Sequence, residues 1–240
     1  MIKRRLDAEL NSRGLVASRS QAESWIKLGK VLVDGKVITK AGHAVTEHSD
    51  IILTATEQYV SRAGLKLASV AKLLNLNFKD KTILDVGSST GGFTDYSLQN
   101  GAKKVYAVDV GTEQLHPSLR DNEKIELHEK TDIRDFTLPD NERPDIIVID
   151  VSFISLRDIL PHLAQHLTNK NTQIVAMVKP QFEAGRNQTN KGIIKNDSVR
   201  RQILKDFELW AKGTFVIKDK RDSEVAGSKG NRERFYLLQI

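Results

Sequence analysis

The apolar and polar positions follow one pattern in most of the chain. From residue 81 onward, apolar runs of strand length alternate with segments of helical period. The strand-like runs are TILDVGSS, KVYAVDV, DIIVIDVSF, QIVAMVKP, TFVIKDK and RFYLLQI, and the helical segments include LRDILPHLAQHL and SVRRQILKDFELWAKG. Such alternation predicts an α/β fold with a mostly parallel sheet and helices on both of its faces. In these sheets, ligands bind beyond the carboxyl ends of the strands.

The first part of the chain has a different pattern. LDAELNSRG predicts a helix that ends at Gly14, and SRSQAESWIKLGK predicts a second helix. VLVDGKVIT predicts a hairpin around Asp34-Gly35, and DIILT predicts a further strand. These signals indicate a small α/β module.

The two patterns predict separate domains. We expect the small module at residues 1–53, a linker at 54–60, and the larger domain at 61–240. The larger domain begins with SRAGLKLASVAKLLNL, whose leucines and valine recur with roughly helical period.

Composition excludes several classes of protein. The chain has 240 residues, no cysteine and a formal net charge of +6. Disulfides, thiolate metal sites and cysteine nucleophiles are therefore excluded, and we expect no metal. No apolar run has the ~18–20 residues of a membrane helix, and MIKRRLDAEL is not followed by the apolar segment of a signal peptide. We expect a cytoplasmic protein, a monomer, with an anionic partner.

Basic residues are concentrated in the small module. Residues 1–40 contain nine lysines and arginines against four acidic residues. SRSQAESWIKLGKVLVDGKVIT resembles the two-helix-then-hairpin core of the S4 RNA-binding module, and the resemblance covers most of the first 50 residues. It implies contact with structured RNA through phosphates, which fix position rather than sequence. For each residue, a solvated charged surface is the alternative. The predicted RNA-binding residues are Arg4, Arg5, Arg19, Lys27, Lys30 and Arg62.

A glycine-rich turn follows the first strand of the larger domain. LDVGSSTGGFTDYSL places Gly87, Gly91 and Gly92 between a strand and a helix, where glycine lets the backbone approach a ligand closely. The spacing G-x-x-x-G-G differs from the dinucleotide and P-loop motifs. A nucleoside-type ligand without a pyrophosphate fits this turn better.

Acidic residues lie at the ends of the first three strands of this domain. Asp85 is placed to accept from an ammonium group, and Asp109 to accept from the two hydroxyls of a ribose. Asp132 follows a probable third strand and is placed to accept from an exocyclic amine, although a turn or helix N-cap is an equal alternative.

This pattern resembles the class I S-adenosylmethionine-dependent methyltransferases, and within them the FtsJ-type ribose 2′-O-methyltransferases. The order YVSRAGLKL, LDVGSSTGGFTDYSL, DVGTEQLHPSLR, TDIRDF, DVSFISL, KPQFEAG and GNRERFYLL resembles the TlyA (haemolysin A-like) ribosomal RNA methyltransferases nearly from end to end. The resemblance implies S-adenosyl-L-methionine as cofactor. The cofactor-binding residues that it implies are Asp85, Gly87, Ser88, Ser89, Gly91, Gly92, Phe93, Asp109, Asp132 and Asp150.

The resemblance also implies a catalytic tetrad of Lys66, Asp150, Lys179 and Glu233. Lys179 ends an apolar strand-like run, where a lysine that merely extends into solvent is the alternative. A ribose 2′-hydroxyl is a very weak acid, so the protein must place its oxygen and lower or remove its proton. We expect Lys179 to contact the hydroxyl and Asp150 to orient Lys179. The sequence leaves open which residue takes the proton.

The leading hypothesis is 2′-O-methylation of a ribose in ribosomal RNA, and the resemblance implies a cytidine. The chain starts almost directly in the S4-like module and ends after its last strand, so we expect large-subunit RNA as the target and retain the small subunit as an alternative. A haemolysin-like membrane-active protein is opposed by the lack of a spanning segment. A non-catalytic assembly factor is opposed by the complete tetrad, and a pseudouridine synthase by the strand–helix alternation.

Overall fold

The structure, a computed structural model, divides the chain into two compact units, Met1–Gln58 and Tyr59–Ile240. The described residues are 3–16, 19–27, 29–54, 59–139, 142–185, 192–194, 196–225, 227 and 230–240. Residues 55–58 of the predicted linker and the Lys27 side chain lie outside this part of the chain.

The first unit has the predicted two helices followed by a hairpin. Strand β2 (Val31–Val33) pairs antiparallel with both β3 (Lys36–Val37) and β5 (Ile51–Leu53). Asp34 and Gly35 have φ values of +49° and +75°, as a two-residue hairpin turn requires. The hairpin prediction is therefore confirmed. The pairing of β1 with β4 has no sequence signal, because each strand contributes only two residues. The elements are β1 Arg4–Arg5, α1 Leu6–Ser12, α2 Arg19–Lys27, β2 Val31–Val33, β3 Lys36–Val37, β4 Ala44–Val45 and β5 Ile51–Leu53.

The second unit has the predicted α/β architecture. Its strands are β6 Thr82–Val86, β7 Lys104–Val108, β8 Ile125–His128, β9 Ile146–Ile149, β10 Gln173–Val178, β11 Val216–Asp222 and β12 Arg234–Gln239. Among the described residues, these seven strands form one sheet in the order β11-β12-β10-β9-β6-β7-β8. The strands from β10 to β8 are mutually parallel, and β12 lies antiparallel between β10 and β11. The helices are α3 Arg62–Ala71, α4 Gly92–Gln99, α5 Pro117–Arg120, α6 Leu160–His162, α7 Pro180–Glu183 and α8 Asp197–Ala211.

Apolar side chains cover both faces of this sheet. On one face, Leu84 and Ile147 pack with Phe207 of α8, and on the other, Val148 and Val175 pack in a second cluster with α3. Every residue of β6 and β9 is buried. Continuous apolar runs without alternation are expected when helices cover both faces.

The predicted helix LRDILPHLAQHL is interrupted. A 3₁₀ turn at Leu156–Asp158 is followed by α6 and then by a π-helical segment at Leu163–Leu167. Pro161 explains the interruption, since its ring excludes the carbonyl of residue 157 and it has no amide hydrogen to donate. Among the described helices of both units, none combines the length and apolar character needed to span a membrane.

Candidate active site

The glycine turn after β6 presses against the segment that follows β9. Gly87 has φ +80°, and a Cβ atom there would lie 2.8 Å from the Asp150 carbonyl oxygen. Gly92 is similarly close to the start of α3, since an added Cβ would lie 2.8 Å from the Gly64 nitrogen. Glycine at these positions therefore permits close backbone contacts that hold the parts of the site together.

A cleft of ≈ 350 Å³ lies at the carboxyl ends of β6, β7 and β9. Asp109 is held at its edge, because its carboxylate accepts from the amides of Ser89 at 2.8 Å and Gly111 at 2.7 Å. We call this space the cofactor cleft. Its lining residues are Val86, Gly87, Ser89, Val108, Asp109, Val110, Gln114, Thr131, Asp132, Ile133, Asp150, Val151, Ser152, Phe153, Ile154 and Ile159.

A smaller cleft beside it contains Asp85, Ser88 and Phe93. Asp85 is 1% exposed, and one carboxylate oxygen accepts from the Thr94 hydroxyl at 2.6 Å. Within the described residues, its other oxygen and the Ser88 hydroxyl have no hydrogen-bond partner. Burial raises the pKa of Asp85 to about 7. A cation that entered this cleft would find a buried acceptor.

Asp132 lines the cofactor cleft, but it already has a cationic partner. Both of its oxygens accept from the Arg134 guanidinium, at 2.9 and 2.6 Å. Hydrogen bonds from Arg134 lower the pKa of Asp132 to about 2. The carboxylate is therefore fixed in position and ionised at neutral pH.

The four predicted tetrad residues form ion pairs with one another. Lys179 Nζ lies 2.6 Å from Asp150 Oδ1, and Lys66 Nζ lies 2.5 Å from Glu233 Oε2. Lys179 also donates to the Ser152 hydroxyl at 2.8 Å. Asp150 and Lys179 directly follow the parallel strands β9 and β10, which explains why they meet at one edge of the sheet.

A third cleft of ≈ 380 Å³ contains Lys66, Lys179 and Glu233. We call it the acceptor cleft. It shares Ser152 and Phe153 with the cofactor cleft, so the two clefts adjoin at the segment after β9. Phe153 is 92% exposed and has φ +69°, and its ring centroid lies 5.2 Å from that of Phe182. The remaining lining residues are Arg62, Gln181, Phe182, Gly192, Gly227 and Asn231.

The predicted RNA-binding residues fall into two groups. Arg5 and Arg19 are exposed and share the buried carboxylate of Asp7, at 2.8 and 3.1 Å. Arg4 reaches Glu9, and Lys30 is exposed. Arg62 belongs to the other group, since it lines the acceptor cleft of the second unit.

Three residues around the acceptor cleft were not predicted. Ser152 accepts from Lys179, while a Cβ atom at Gly227 would lie 2.7 Å from Glu233 Oε1. Asn231 is buried, and it accepts from the Ile194 amide at 3.0 Å and donates to the Gly192 carbonyl at 2.9 Å. The loop motifs DVSFISL and GNRERFYLL contain Ser152 and Asn231, so their neighbours in the tetrad are the only sequence signal for them.

Comparison with known families identifies the class of protein. The FtsJ-like methyltransferase family matches residues 59–239, and the S4 domain matches residues 4–52. The first match spans most of the chain, so this protein belongs to the FtsJ-like methyltransferase family, and it carries an S4 domain. The sequence-based resemblance and fold class are confirmed.

Individual relatives extend over nearly the whole chain. The 23S rRNA (cytidine-2′-O)-methyltransferase TlyA of Campylobacter jejuni is 40% identical, with 94% of this chain and 95% of the relative aligned. The 16S/23S rRNA (cytidine-2′-O)-methyltransferase TlyA of Mycobacterium tuberculosis is 40% identical over 98% of this chain and 89% of the relative. A solved structure from Streptococcus thermophilus that carries the hemolysin name is 39% identical, with a TM-score of 0.75 over 100% of this chain and 89% of the other.

Proposed function

We propose that this protein methylates the 2′-hydroxyl of a cytidine ribose in ribosomal RNA, with S-adenosyl-L-methionine as methyl donor. One observation carries the proposal. The Lys179–Asp150 and Lys66–Glu233 pairs meet at an acceptor cleft that shares a wall with the cofactor cleft. Donor and acceptor would then meet beside the Ser152–Phe153 segment, which lines both clefts.

The residues of the cofactor cleft and of the smaller cleft beside it fit S-adenosylmethionine. Asp85 has a buried oxygen without a partner in the described residues, which suits the ammonium of the methionine portion. Asp109 suits the ribose hydroxyls, and Val108 and Ile133 give the cleft apolar walls for a purine. When bound, the cofactor supplies a methyl group that its sulfonium has already activated.

The tetrad would position the ribose oxygen rather than activate the methyl group. Lys179 is 10% exposed and is held by Asp150 and Ser152, so its ammonium is fixed instead of free in solvent. A fixed donor at the 2′-oxygen restricts the hydroxyl to the orientation that attack requires. The Asp150 carboxylate of this pair takes the proton that leaves the oxygen, while Lys66 and Glu233 line the same acceptor cleft as Lys179.

Features of both units favour RNA as the substrate. The exposed ring of Phe153 stands at the acceptor cleft, where an unstacked base can lie against it. The S4 domain presents Arg5, Arg19 and Lys30 to solvent, where they can contact phosphates. The two curated relatives are named for cytidine 2′-O-methylation of ribosomal RNA, one for 23S and one for 16S and 23S. We propose the large subunit as the main target, and a ribosomal substrate would place the protein in the cytoplasm.

The test uses ribosomal subunits from cells that lack this gene. Purified protein and methyl-labelled cofactor are incubated with 30S and 50S particles, and the label is mapped to a nucleotide and to its base or ribose. Ribose label on 50S cytidine is the expected result. Label on a base would overturn the proposed reaction, and label on 30S particles would overturn the restriction to the large subunit.

A further inference from the structure

The segments that follow β9 and β10 are joined at successive points along their length. Lys179 pairs with Asp150 at the strand ends, and the Phe182 ring packs on Phe153 a few residues further on. Glu183 makes the last connection, to residues 155–157. The segments therefore run side by side away from the sheet, and Glu183 fastens their far end.

The Glu183 side chain is 1% exposed, and the proposed reaction gives it no role. Its carboxylate accepts from the Ser155 hydroxyl at 2.6 Å and from the Leu156 amide at 2.7 Å. The Arg157 guanidinium lies 3.5 Å away. Burying a carboxylate is costly, and burial raises the pKa of Glu183. Hydrogen bonds must compensate for this cost, and here they come from residues 155 and 156, which they tie to Glu183.

The conformation of the neighbouring Phe153 requires support from surrounding contacts. A non-glycine residue with φ +69° has a strained backbone, and a phenylalanine that is 92% exposed gains little from burial. Its ring contacts Phe182, the residue directly before Glu183. Two and three residues after Phe153, the Ser155 hydroxyl and the Leu156 amide donate to Glu183. Glu183 thus connects the segment that carries Phe153 to the segment that carries Phe182.

We propose that Glu183 is a positioning residue, which holds the Phe153 ring over the acceptor cleft by fastening residues 155–156 to α7. This inference rests on the proposed function, in which Phe153 receives the target base. Glu183 itself contacts no substrate, because its side chain is buried and lines neither the cofactor cleft nor the acceptor cleft.

The first test is independent of activity. The Leu156 amide donates to Glu183, so its hydrogen exchange reports whether the connection holds. In Glu183→Ala, we expect exchange at Leu156 at least about tenfold faster than in Glu208→Gln. Glu208 is a matched control, since it is a partly buried acceptor for Lys220 and Tyr236 at a distance from the clefts. Unchanged exchange at Leu156 in a folded Glu183→Ala protein would overturn the proposal, whatever the enzyme's substrate.

The second test separates positioning from general stability. Glu183→Ala should lower kcat/KM for ribosomal subunits about tenfold, Glu183→Gln should lower it less, and the cofactor Kd should stay within about threefold. If Glu183 acts through Phe153, adding Glu183→Ala to Phe153→Ala should cost less than about twofold. Independent, multiplying losses in the double variant would overturn the proposal. If the wild-type enzyme labels no ribose, the proposed function is refuted instead. The hydrogen-exchange experiment would still test whether Glu183 holds residues 155–156.

Discussion

The buried acid Asp7 of the first unit and the buried acid Glu233 of the second both bind cationic side chains, but they hold them at different depths. Arg5 and Arg19, the partners of Asp7, are each 55% exposed at the side chain. Lys66, the partner of Glu233, is 11% exposed. In the first unit the acid is inside and the cations face solvent, whereas in the second unit the whole pair is inside.

This difference separates two uses of the same chemistry. A guanidinium fixed by a buried carboxylate keeps donors free for a phosphate and loses little entropy when it binds. A buried ammonium is withdrawn from water, so it is available only to a ligand that enters its cleft. The first arrangement suits affinity for RNA, and the second suits a chemical step.

The largest expected effect comes from breaking the Lys179–Asp150 pair. Lys179→Ala should reduce kcat by about 10²–10⁴-fold, because it removes the ammonium that holds the acceptor oxygen and the partner of the Asp150 carboxylate. Single-turnover methylation of 50S particles measures the effect. The control is Lys220→Ala, which removes a lysine of β11 that pairs with Glu208 of α8. Activity within twofold of wild type would make Lys179 an ordinary strand-end lysine.

Breaking the second pair should affect stability as well as rate. Lys66→Met leaves Glu233 buried without its cation, so we expect a loss of about 3 kcal/mol in the free energy of unfolding. The rate should fall by about 10–10²-fold. Adding Glu233→Gln removes the uncompensated charge, so the double variant should regain stability in urea unfolding but not activity. Recovery of activity would show that this pair only supports the fold.

Asp85 extends the comparison to a buried acid without a cationic partner in the described residues. Because its pKa is raised to about 7, the carboxyl is protonated below that pH, and an ammonium ligand must displace the proton. Cofactor affinity should therefore fall about tenfold per pH unit well below pH 7. Calorimetric titration at several pH values measures this slope. Asp85→Asn should bind more weakly throughout, and a slope that survives this substitution would contradict the assignment.

The smallest expected effect is at Asp7. Hydrogen bonds from Arg5 lower its pKa to about 2, so its contribution to stability is present above its ordinary pKa of about 4 and is lost as the pH falls towards 2. Asp7→Asn should weaken RNA binding about three- to tenfold and leave kcat at saturating RNA unchanged. Glu47→Gln, at an exposed acid of the same unit, is the control. Equal RNA affinity in both variants would show that the arginines need no anchor.

The sequence was sufficient to predict the overall architecture. Strand–helix alternation predicted the parallel sheet, and Asp34-Gly35 predicted the hairpin, because both signals depend on short stretches of chain. The apolar residues around Pro161 recur with helical period, so the pattern predicted one continuous helix and not its interruption. The two-residue strands β1 and β4 are too short to give a pattern.

Contacts between distant segments were harder to predict. Family motifs placed Lys66 and Glu233 in one site, but their 2.5 Å pairing depends on the position of the last strand. The buried position of Glu183 had no sequence signal, since a glutamate such as the one in PQFE is ordinarily expected on the surface. Asp132 was predicted as a hydrogen-bond acceptor for the ligand, but its pairing with Arg134, only two residues away, was not predicted.

The Lys66–Glu233 pair has a consequence for the synthesis of the protein. Lys66 lies in α3 at the start of the second unit, and Glu233 directly precedes β12, the last strand of the described sheet. A nascent chain whose β12 is still inside the ribosome therefore has its glycine turn and cofactor-side strands but no complete acceptor cleft. Folding of the last strand completes the site, so catalytic competence comes only after synthesis of the sheet is finished.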